Sequence, residues 1–266
     1  MKDPFGRTLN YLRISVTDRC NLNCRYCMPD RNEELLDRKD LLTFEEIRDF
    51  TVLAAGLGVT KVRLTGGEPL VRSDILDLVK MLSQIEGIQD LSMTTNGLRL
   101  EKFARPLLKA GLHRLNISLD TINPDRYREI TGGGDCERTL AGIMAAKQAG
   151  FERIKLNCVV EQSRDETDAR EVARFAMKNG FEVRYIRQMN LIEGKFWVVD
   201  GGSGGNCEQC SRIRLSCDGQ VRPCLFSDAG YPVRELGMKE ALMQAVNHKP
   251  ESGETCRNIT FRRIGG

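Results

Sequence analysis

Three cysteines near the start of the chain are the residues best suited to carry out chemistry. Cys20, Cys24 and Cys27 stand in a C-x3-C-x2-C spacing. A structural zinc ion or a fully ligated iron–sulfur cluster takes four protein ligands. A tight loop that offers only three thiolates therefore leaves one metal coordination position for another molecule, and an open position of this kind is where catalysis takes place.

Two other uses of these cysteines are a disulfide and a structural zinc site. Cys24 and Cys27 are too close in sequence to form an unstrained disulfide. The segment 1–10 has no apolar stretch typical of a secretory signal peptide, so we expect reduced thiols in the cytoplasm. The remaining alternative is a zinc site that takes its fourth ligand from elsewhere in the chain.

A second group of cysteines lies towards the C-terminus. Cys207, Cys210 and Cys224 form a C-x2-C-x13-C pattern, which again offers three thiolates. Arg212 and Arg214 follow the close pair. The chain therefore contains two groups of the same kind, and arginines accompany the second of them.

A zinc ribbon is the alternative for this second group, and it needs a fourth ligand. His248 and Cys256 are the candidates, but neither has a C-x2-C partner. Asp218 and Gly219 predict a hairpin turn inside the group. The glycine-rich stretch 201–205, just before the group, is typical of a flexible loop or linker.

The composition describes a globular protein and argues against two function classes. Hydrophobic residues make up 41% of the 266 residues and charged residues 29%. No apolar run reaches the length of a membrane span. A net charge of +3 is too small for nucleic-acid binding by bulk attraction, although arginines in one cavity can bind a small anion. The scattered cysteines are expected to be ordinary core or surface residues; they are Cys136, Cys158, Cys217 and Cys256.

Strand and helix patterns alternate along the chain. Apolar, β-branched runs predict six strands, at 12–16, 59–65, 91–95, 114–119, 153–160 and 182–188. Repeated strand–helix units predict an α/β fold with a parallel sheet, here a partial, open TIM-type barrel. We assign the barrel to 1–190 and a small C-terminal iron–sulfur subdomain to 191–266.

Capping residues and helical periodicity mark the helices. Thr43 and Glu46 form a capping-box signature. Ser73 and Asp74 are the expected caps of a helix with Ile75, Leu78, Val79 and Leu82 on one face. Further helices are predicted at 101–110, 138–148, 166–178 and 234–246, and a short strand at 195–200.

Polar motifs follow the predicted strands at the points where the strands end. They lie at 20–27, 66–68, 95–96, 118–120 and 188–189. Each motif alone has an ordinary explanation as a turn or loop. Because functional groups of such barrels gather at the C-terminal ends of the strands, their joint placement indicates one site.

The first cysteine motif and a glycine motif together resemble a known family. The chain resembles the radical S-adenosylmethionine (SAM) enzymes in two features: Tyr26 just before the third cysteine, and Gly-Gly-Glu-Pro at 66–69. The resemblance implies that Cys20, Cys24 and Cys27 hold three irons of a [4Fe–4S] cluster, while SAM binds the fourth. It also implies SAM contacts from Tyr26, Gly66, Gly67, Glu68, Thr95, Ser118 and Met189.

The second cysteine group narrows the resemblance. Its two arginines and the terminal Gly-Gly are similar to one branch of that family, the GTP 3′,8-cyclases of molybdenum cofactor biosynthesis. The resemblance implies that Cys207, Cys210 and Cys224 hold a second [4Fe–4S] cluster, which binds the guanine of GTP. It implies catalytic roles for Arg13, Arg212, Arg214, Gly265 and Gly266, and substrate binding by Arg13, Lys61, Arg63, Arg184, Arg212 and Arg214.

The same resemblance implies a reaction and partners. A radical derived from SAM would remove the C3′ hydrogen of GTP, and the C3′ radical would add to C8 of guanine. Flavodoxin or ferredoxin would supply electrons, and a cyclic pyranopterin synthase would take the product. The resemblance implies a cytoplasmic enzyme without membrane or nucleic-acid partners, and it is compatible with a homodimer.

The chain departs from the cyclase pattern in three places. The segment 190–206 is short, Ser163 stands where a basic residue is expected with Arg164 beside it, and Arg187 replaces an acidic residue. One alternative is therefore a paralogue that acts on another nucleotide or on a peptide. In a non-enzymatic alternative, Gly-Gly is a conjugation or sulfur-carrier tail and the cysteines bind zinc, which the size and the six strand–helix units disfavour.

Overall fold

A nine-stranded sheet is the framework of the fold. The computed structural model describes residues 1–27, 34–257 and 261–265. Its strands are β1 (Tyr11–Ser15), β2 (Lys61–Thr65), β3 (Asp90–Thr95), β4 (Arg114–Ser118), β5 (Ile154–Val160), β6 (Glu182–Arg187), β7 (Arg212–Leu215), β8 (Gln220–Arg222) and β9 (Tyr231–Pro232). Their order across the sheet is β6-β5-β4-β3-β2-β1-β7-β8-β9.

Seven neighbouring strands of this sheet run parallel. The strands β1 to β6 lie side by side in chain order, and β7 joins the other side of β1. The strands β8 and β9 then turn back antiparallel, and Gly219 (φ +82°) lies in the predicted hairpin turn. Since β6 and β9 are separate edges, the sheet does not close, and the predicted open α/β barrel is confirmed.

Helices cover the sheet. They are α1 (Phe44–Gly56), α2 (Ile75–Ser83), α3 (Leu100–Lys109), α4 (Pro124–Thr131), α5 (Cys136–Ala149), α6 (Thr167–Asn179), α7 (Val233–Leu236), α8 (Met238–Asn247) and α9 (Phe261–Ile264). The apolar faces of α1 to α8 share one core with strand residues such as Leu12, Ile14 and Leu64, all fully buried, whereas Ile264 of α9 belongs to a second, smaller cluster. No helix among the described residues is long and apolar enough to cross a membrane.

The capping prediction is confirmed for α1 and wrong for α2. Thr43 Oγ1 accepts from Glu46 N at 3.1 Å, and Glu46 Oε2 accepts from Thr43 N at 2.7 Å. At the start of α2, Asp74 lies in the left-handed region (φ 57°) and makes no side-chain capping bond. The helix is nevertheless held by its buried face, because Ile75, Leu78, Val79 and Leu82 are all buried as predicted.

Three further elements differ from the prediction. Helix α4 was not predicted; Asn123 Oδ1 caps it by accepting from two backbone N–H groups at 3.0 Å. The predicted helix 234–246 is two helices, because Gly237 (φ 81°, ψ 149°) breaks it. The predicted strand 195–200 forms only isolated bridges, such as Tyr185 with Asp200.

Candidate active site

The first cysteine group lies in a loop at the C-terminal end of β1. Leu22 N donates to Cys20 Sγ at 3.4 Å. Cys27 N donates to Cys24 O at 3.1 Å, which forms a tight turn. All three cysteines are half-buried and none of them forms a disulfide, so one short loop presents their thiols together at the rim of the barrel.

The surroundings of these thiols favour their protonated forms. Burial raises the pKa of Cys20 to about 11, and the Glu68 carboxylate adds to the effect. Burial also raises the pKa of Cys24, with contributions from Cys27 and Asp120. A bound metal replaces the thiol protons with positive charge, which relieves the repulsion between the thiolates and the neighbouring carboxylates. A cationic metal centre with thiolate ligands therefore fits this loop.

Tyr26 ties the cysteine loop to the neighbouring strands. Its hydroxyl donates to Asp120 Oδ2 at 2.7 Å, and Asp120 Oδ1 accepts from Val159 N at 2.8 Å. Burial raises the pKa of Asp120 to about 6. The buried phenol–carboxyl pair fixes the loop against the ends of β4 and β5.

The glycine motif after β2 lies directly against this loop. Gly67 N donates to Thr17 O at 2.7 Å. A Cβ on Gly66 (φ +147°) would lie 2.5 Å from Thr17 O, and a Cβ on Gly67 would lie 2.3 Å from Arg19 O. Only glycine allows this approach of two backbones, so the motif and the cysteine loop form one unit.

Glu68 turns its side chain into the protein. Its carboxylate accepts from Thr95 Oγ1 and Asn96 N, both at 2.7 Å, and from Leu70 N at 3.0 Å. Burial raises its pKa, while these hydrogen bonds oppose the effect. The side chain is therefore fully engaged. The backbone N–H of Glu68 donates to Arg19 O at 2.8 Å, so only the second lone pair of its carbonyl oxygen is left for an external ligand. The Thr95 hydroxyl likewise has its proton in a hydrogen bond to Glu68, so it is not available as a donor to another molecule.

The residues predicted to contact SAM lie in three places: around the cysteine loop, at the end of β4 and just beyond β6. Tyr26, Gly66, Gly67, Glu68 and Thr95 surround the cysteine loop. Ser118 is half-buried as the last residue of β4. Met189 lies just beyond β6, where it lines a cavity beside the second cysteine group.

That cavity has a volume of about 380 Å³. Its wall contains all three cysteines of the second group, Cys207, Cys210 and Cys224. It also contains all six predicted substrate cations, which are Arg13, Lys61, Arg63, Arg184, Arg212 and Arg214. The structure therefore brings the second cysteine group and the predicted substrate residues to one place.

The register of three parallel strands arranges these cations in two rows. Lys61 of β2 and Arg212 of β7 are the partners of Tyr11 on β1. Two residues further on, Arg63 and Arg214 are the partners of Arg13; these two rows are the outer and the inner row of the cavity wall. The inner row is a line of three arginines across adjacent strands.

Most of these cations lack an acidic partner among the described residues. Lys61, Arg63, Arg184, Arg212 and Arg214 form no ion pair with a described carboxylate. Burial lowers the pKa of Arg63 and Arg184, and lowers that of Arg214 to about 10 with help from Arg212. Uncompensated buried charge is costly. A multiply charged anion in the cavity would supply the missing counter-charge.

The second cysteine group differs from the first in its electrostatic surroundings. Burial tends to raise the pKa of Cys210, but Lys249, Arg212 and Arg214 outweigh it, so that the pKa is lowered. The thiolate form is therefore favoured here by neighbouring cations. Thiolates are the ligands of iron–sulfur clusters, so the group fits a metal cluster that faces an anion site.

Two residues that sequence analysis missed hold this second group. Lys249, 3% exposed, donates from Nζ to Arg212 O at 2.9 Å and to Pro223 O at 2.6 Å. Arg7 Nη1 donates to Cys207 O at 2.8 Å. No local sequence signal marks either residue, because both act on segments that are distant in the chain.

Neither candidate for the fourth zinc ligand forms one metal site with the three cysteines among the described residues, although Cys224 packs against the cluster that contains Cys256. His248 stacks on Tyr231, and its Nδ1 lies 2.9 Å from Gln244 O. Cys256 is buried in a small apolar cluster with Leu191. Within the described ranges, no three His, Cys, Asp or Glu side chains are grouped closely enough to hold one metal ion. In a cluster each thiolate binds a different iron, so such convergence is not required there.

The C-terminal tail lies between the two cysteine groups. Gly265 (φ +73°) places its carbonyl 2.7 Å from Arg214 Nη1, which donates to it. A Cβ on Gly265 would lie 2.0 Å from Thr65 Oγ1, at the end of β2 beside Gly66. Gly266 lies outside the described residues. The tail thus touches the inner row and the glycine motif at once.

The short segment 190–206 closes one side of the cavity. Gly202, Ser203, Gly204, Gly205 and Asn206 all line the cavity. Ser203 Oγ accepts from Arg212 Nη2 at 2.9 Å. The glycine-rich stretch therefore forms part of the wall.

The other two departures from the cyclase pattern are not part of the cavity lining, although Arg187 packs on Trp197, which is part of it. Ser163 is exposed, and Arg164 pairs with Asp200 at 3.4 Å. The Arg187 guanidinium lies 4.1 Å from the centre of the Trp197 ring. Neither Arg164 nor Arg187 lines the cavity.

Comparison with known proteins identifies the family. Residues 14–176 match the Radical SAM superfamily model. Curated relatives named GTP 3′,8-cyclase include one from Alkaliphilus oremlandii, 37% identical over 320 residues with 100% of each chain covered. Another, from Moorella thermoacetica, is 38% identical over 305 residues with 94% of each chain covered. An alignment of 320 positions exceeds the 266 residues of this chain, so at least 54 positions face gaps in it.

Solved structures share the fold. Streptococcus suis SuiB bound to S-adenosylmethionine superposes with a TM-score of 0.70 at 17% identity, covering 92% of this chain and 67% of that one. Native anSMEcpe with bound AdoMet gives a TM-score of 0.64 at 13% identity, covering 91% and 81%. At such identities the likeness concerns the fold alone. Together with the sequence matches, it shows that the chain belongs to the radical SAM superfamily, in a family with relatives named GTP 3′,8-cyclase.

Proposed function

We propose that this chain converts GTP to (8S)-3′,8-cyclo-7,8-dihydroguanosine 5′-triphosphate, an early step of molybdenum cofactor biosynthesis. The observation that carries the proposal is the cavity where three cysteines meet several cations without described acidic partners, among them the buried Arg63 and Arg214. A nucleoside triphosphate offers the negative charge that these cations need. The name shared by the curated relatives supports the same reaction.

The first cysteine group is the proposed place of SAM chemistry. Radical SAM enzymes use a [4Fe–4S] cluster and SAM, and Cys20, Cys24 and Cys27 would hold that cluster here. When bound, these groups supply hydrogen-atom abstraction from a C–H bond. The chain contributes the backbone of Gly66 and Gly67, which lies against the cysteine loop and would contact the methionine part of SAM.

The second cysteine group is the proposed anchor of the guanine base. Cys207, Cys210 and Cys224 would hold a second [4Fe–4S] cluster with one iron open to the substrate. The cations around Cys210 favour its thiolate. This placement would hold the base at one end of the cavity and leave the triphosphate to the cation rows.

The cations divide into two roles by position. Lys61, Arg63 and Arg184 lie on β2 and β6 and would bind phosphate oxygens, where the arginines can donate two hydrogen bonds at once. Arg13, Arg212 and Arg214 lie nearer the cysteines and the tail, on β1 and β7. They would fix the ribose and α-phosphate so that the reacting carbon is held in one geometry.

The tail would complete the site. Gly265 lies between Thr65, next to the glycine motif, and Arg214 of the inner row, so it would separate the region of the first cysteines from the cavity. Exclusion of water and oxygen from a radical reaction is the role that we assign to this tail.

A paralogue with another substrate is the alternative, and one observation favours it. At least 54 aligned positions of the Alkaliphilus oremlandii relative face gaps in this chain. The segment 190–206, however, still lines the cavity with eight residues. The site is therefore enclosed on this side without the longer segment, and GTP remains the preferred substrate.

Several accompanying features stay predictions. They are the division at residue 190, a flavodoxin or ferredoxin as electron donor, a cyclic pyranopterin synthase as the next enzyme, a homodimer, and cytoplasmic location. The parallel pairing of β7 with β1 shows that one sheet crosses the predicted division.

Anaerobic titration of the purified protein tests the proposed substrate. GTP is expected to bind about a hundredfold or more tightly than guanosine, because each phosphate hydrogen bond to a cation contributes about 1.5–3 kcal/mol. GDP and GMP should fall between them. Arg63→Ala should weaken GTP binding but not guanosine binding, whereas Arg105→Ala, on the exposed face of α3, should change neither. Equal affinity for GTP and guanosine would exclude a triphosphate site.

A further inference from the structure

Tyr11 occupies a central position in the cation rows without being a cation. It lies on β1 between Lys61 of β2 and Arg212 of β7, and so forms the middle of the outer row. Strand alternation places it on the same face as Arg13, opposite the buried Leu12. Its side chain lines the cavity and is only 9% exposed.

The Tyr11 hydroxyl is a buried polar group without a hydrogen-bond partner among the described residues. Asn157 Oδ1 and Arg184 Nε, which belong to the same cavity wall, also lack a hydrogen-bond partner among the described residues. Buried hydroxyls in proteins are nearly always hydrogen-bonded, so an unpartnered one on a cavity wall indicates a partner that enters from the cavity.

The charge around the hydroxyl specifies the kind of partner. The Arg63 guanidinium carbon lies 5.5 Å from the Tyr11 ring centre, and that of Arg212 lies 5.8 Å away. Burial tends to raise the pKa of Tyr11, but Arg63, Arg13 and other arginines outweigh it, and the pKa is lowered. The phenol therefore lies in a positive field, where an anionic acceptor is the most favourable partner.

We propose that the Tyr11 hydroxyl donates a hydrogen bond to a phosphate oxygen of the bound nucleotide, between Lys61 and Arg212. This inference rests on the proposed function and adds a neutral donor to its cation set. A phenol contributes a directed hydrogen bond without further positive charge. Tyr11 thus serves to fix the triphosphate, in a row where a third cation would increase repulsion.

Tyr11→Phe is the direct test, in the anaerobic protein with its iron content verified. GTP binding is expected to weaken about tenfold, since a hydrogen bond to a charged group is lost. Guanosine binding should change less than about twofold. Without nucleotide, the thermal midpoint should stay equal or rise, because the deleted oxygen has no partner in the free protein. A purely structural tyrosine would instead lower the midpoint and affect both ligands.

Tyr185→Phe is the matched control. Tyr185 is a half-buried tyrosine on β6 beside Arg184, and it does not line the cavity. Its variant should bind GTP like the wild type. If wild-type protein binds GTP much more tightly than guanosine but Tyr11→Phe binds both unchanged, this inference is wrong and the proposed function stands. If the wild type shows no preference for GTP, the proposed function itself fails.

Discussion

Gly265→Ala is expected to reduce formation of the cyclised nucleotide by about a hundredfold or more, because misplacement of about 1 Å in a catalytic site has effects of this size. Gly265 has φ +73°, and an added Cβ would lie 2.0 Å from Thr65 Oγ1 and 2.9 Å from Thr65 Cβ. Thr65 is 3% exposed and donates to Ile14 O at 3.1 Å, so it cannot move aside cheaply. The tail must therefore shift and withdraw its carbonyl from Arg214.

The iron content and GTP affinity of this variant should stay near those of the wild type, because Gly265 has no side chain that binds a cluster or the nucleotide. Gly180→Ala is the control for backbone strain alone. Gly180 has φ +76°, follows α6, and has nothing within 4 Å of an added Cβ. It should lose about 1–2 kcal/mol of stability and no activity. Wild-type turnover by Gly265→Ala would show that the tail does not take part.

Cys24→Ala and Cys210→Ala are expected to separate the two proposed clusters. Each should lose about four iron atoms per chain, since loss of a thiolate removes a ligand from one [4Fe–4S] cluster. Cys24→Ala should abolish SAM cleavage but retain GTP binding. Cys210→Ala should retain some SAM cleavage and bind GTP more weakly. Iron and sulfide analysis with anaerobic binding measurements distinguishes these patterns.

Cys136→Ala is the control for losing any cysteine. Cys136 is buried at the start of α5 and belongs to neither group, so its variant should keep all its iron. Full iron content in Cys210→Ala would contradict the second cluster. Zinc in place of iron in the anaerobic wild-type protein would contradict both clusters and favour the alternative with a conjugation tail.

Local sequence signals were enough for most of the barrel. The capping box at Thr43 and the buried face of α2 are short-range patterns, and both occur in the structure. Helix α4 was missed because it is short and its eight residues are mostly polar. The break at Gly237 was missed because a glycine inside an amphipathic pattern is compatible with a continuous helix until its backbone angles are known.

The chemistry of the site was readable from residue types, but its layout was not. The cysteine groups and the cations are marked by spacing and charge. The two rows, however, depend on β7 pairing with β1, a contact between segments about two hundred residues apart. Tyr11 gains its place from that pairing, although alternation with Arg13 was a usable signal. No comparable sequence signal marked Lys249 or Arg7.

GTP with deuterium at C3′ provides the most direct test of the central claim. The protein would be incubated without oxygen, with SAM and a strong reductant, and the products would be analysed by mass spectrometry. The proposed function predicts one deuterium in 5′-deoxyadenosine for each molecule of 3′,8-cyclised nucleotide. Unlabelled 5′-deoxyadenosine together with unchanged GTP would contradict it and would point to a different substrate for the same barrel.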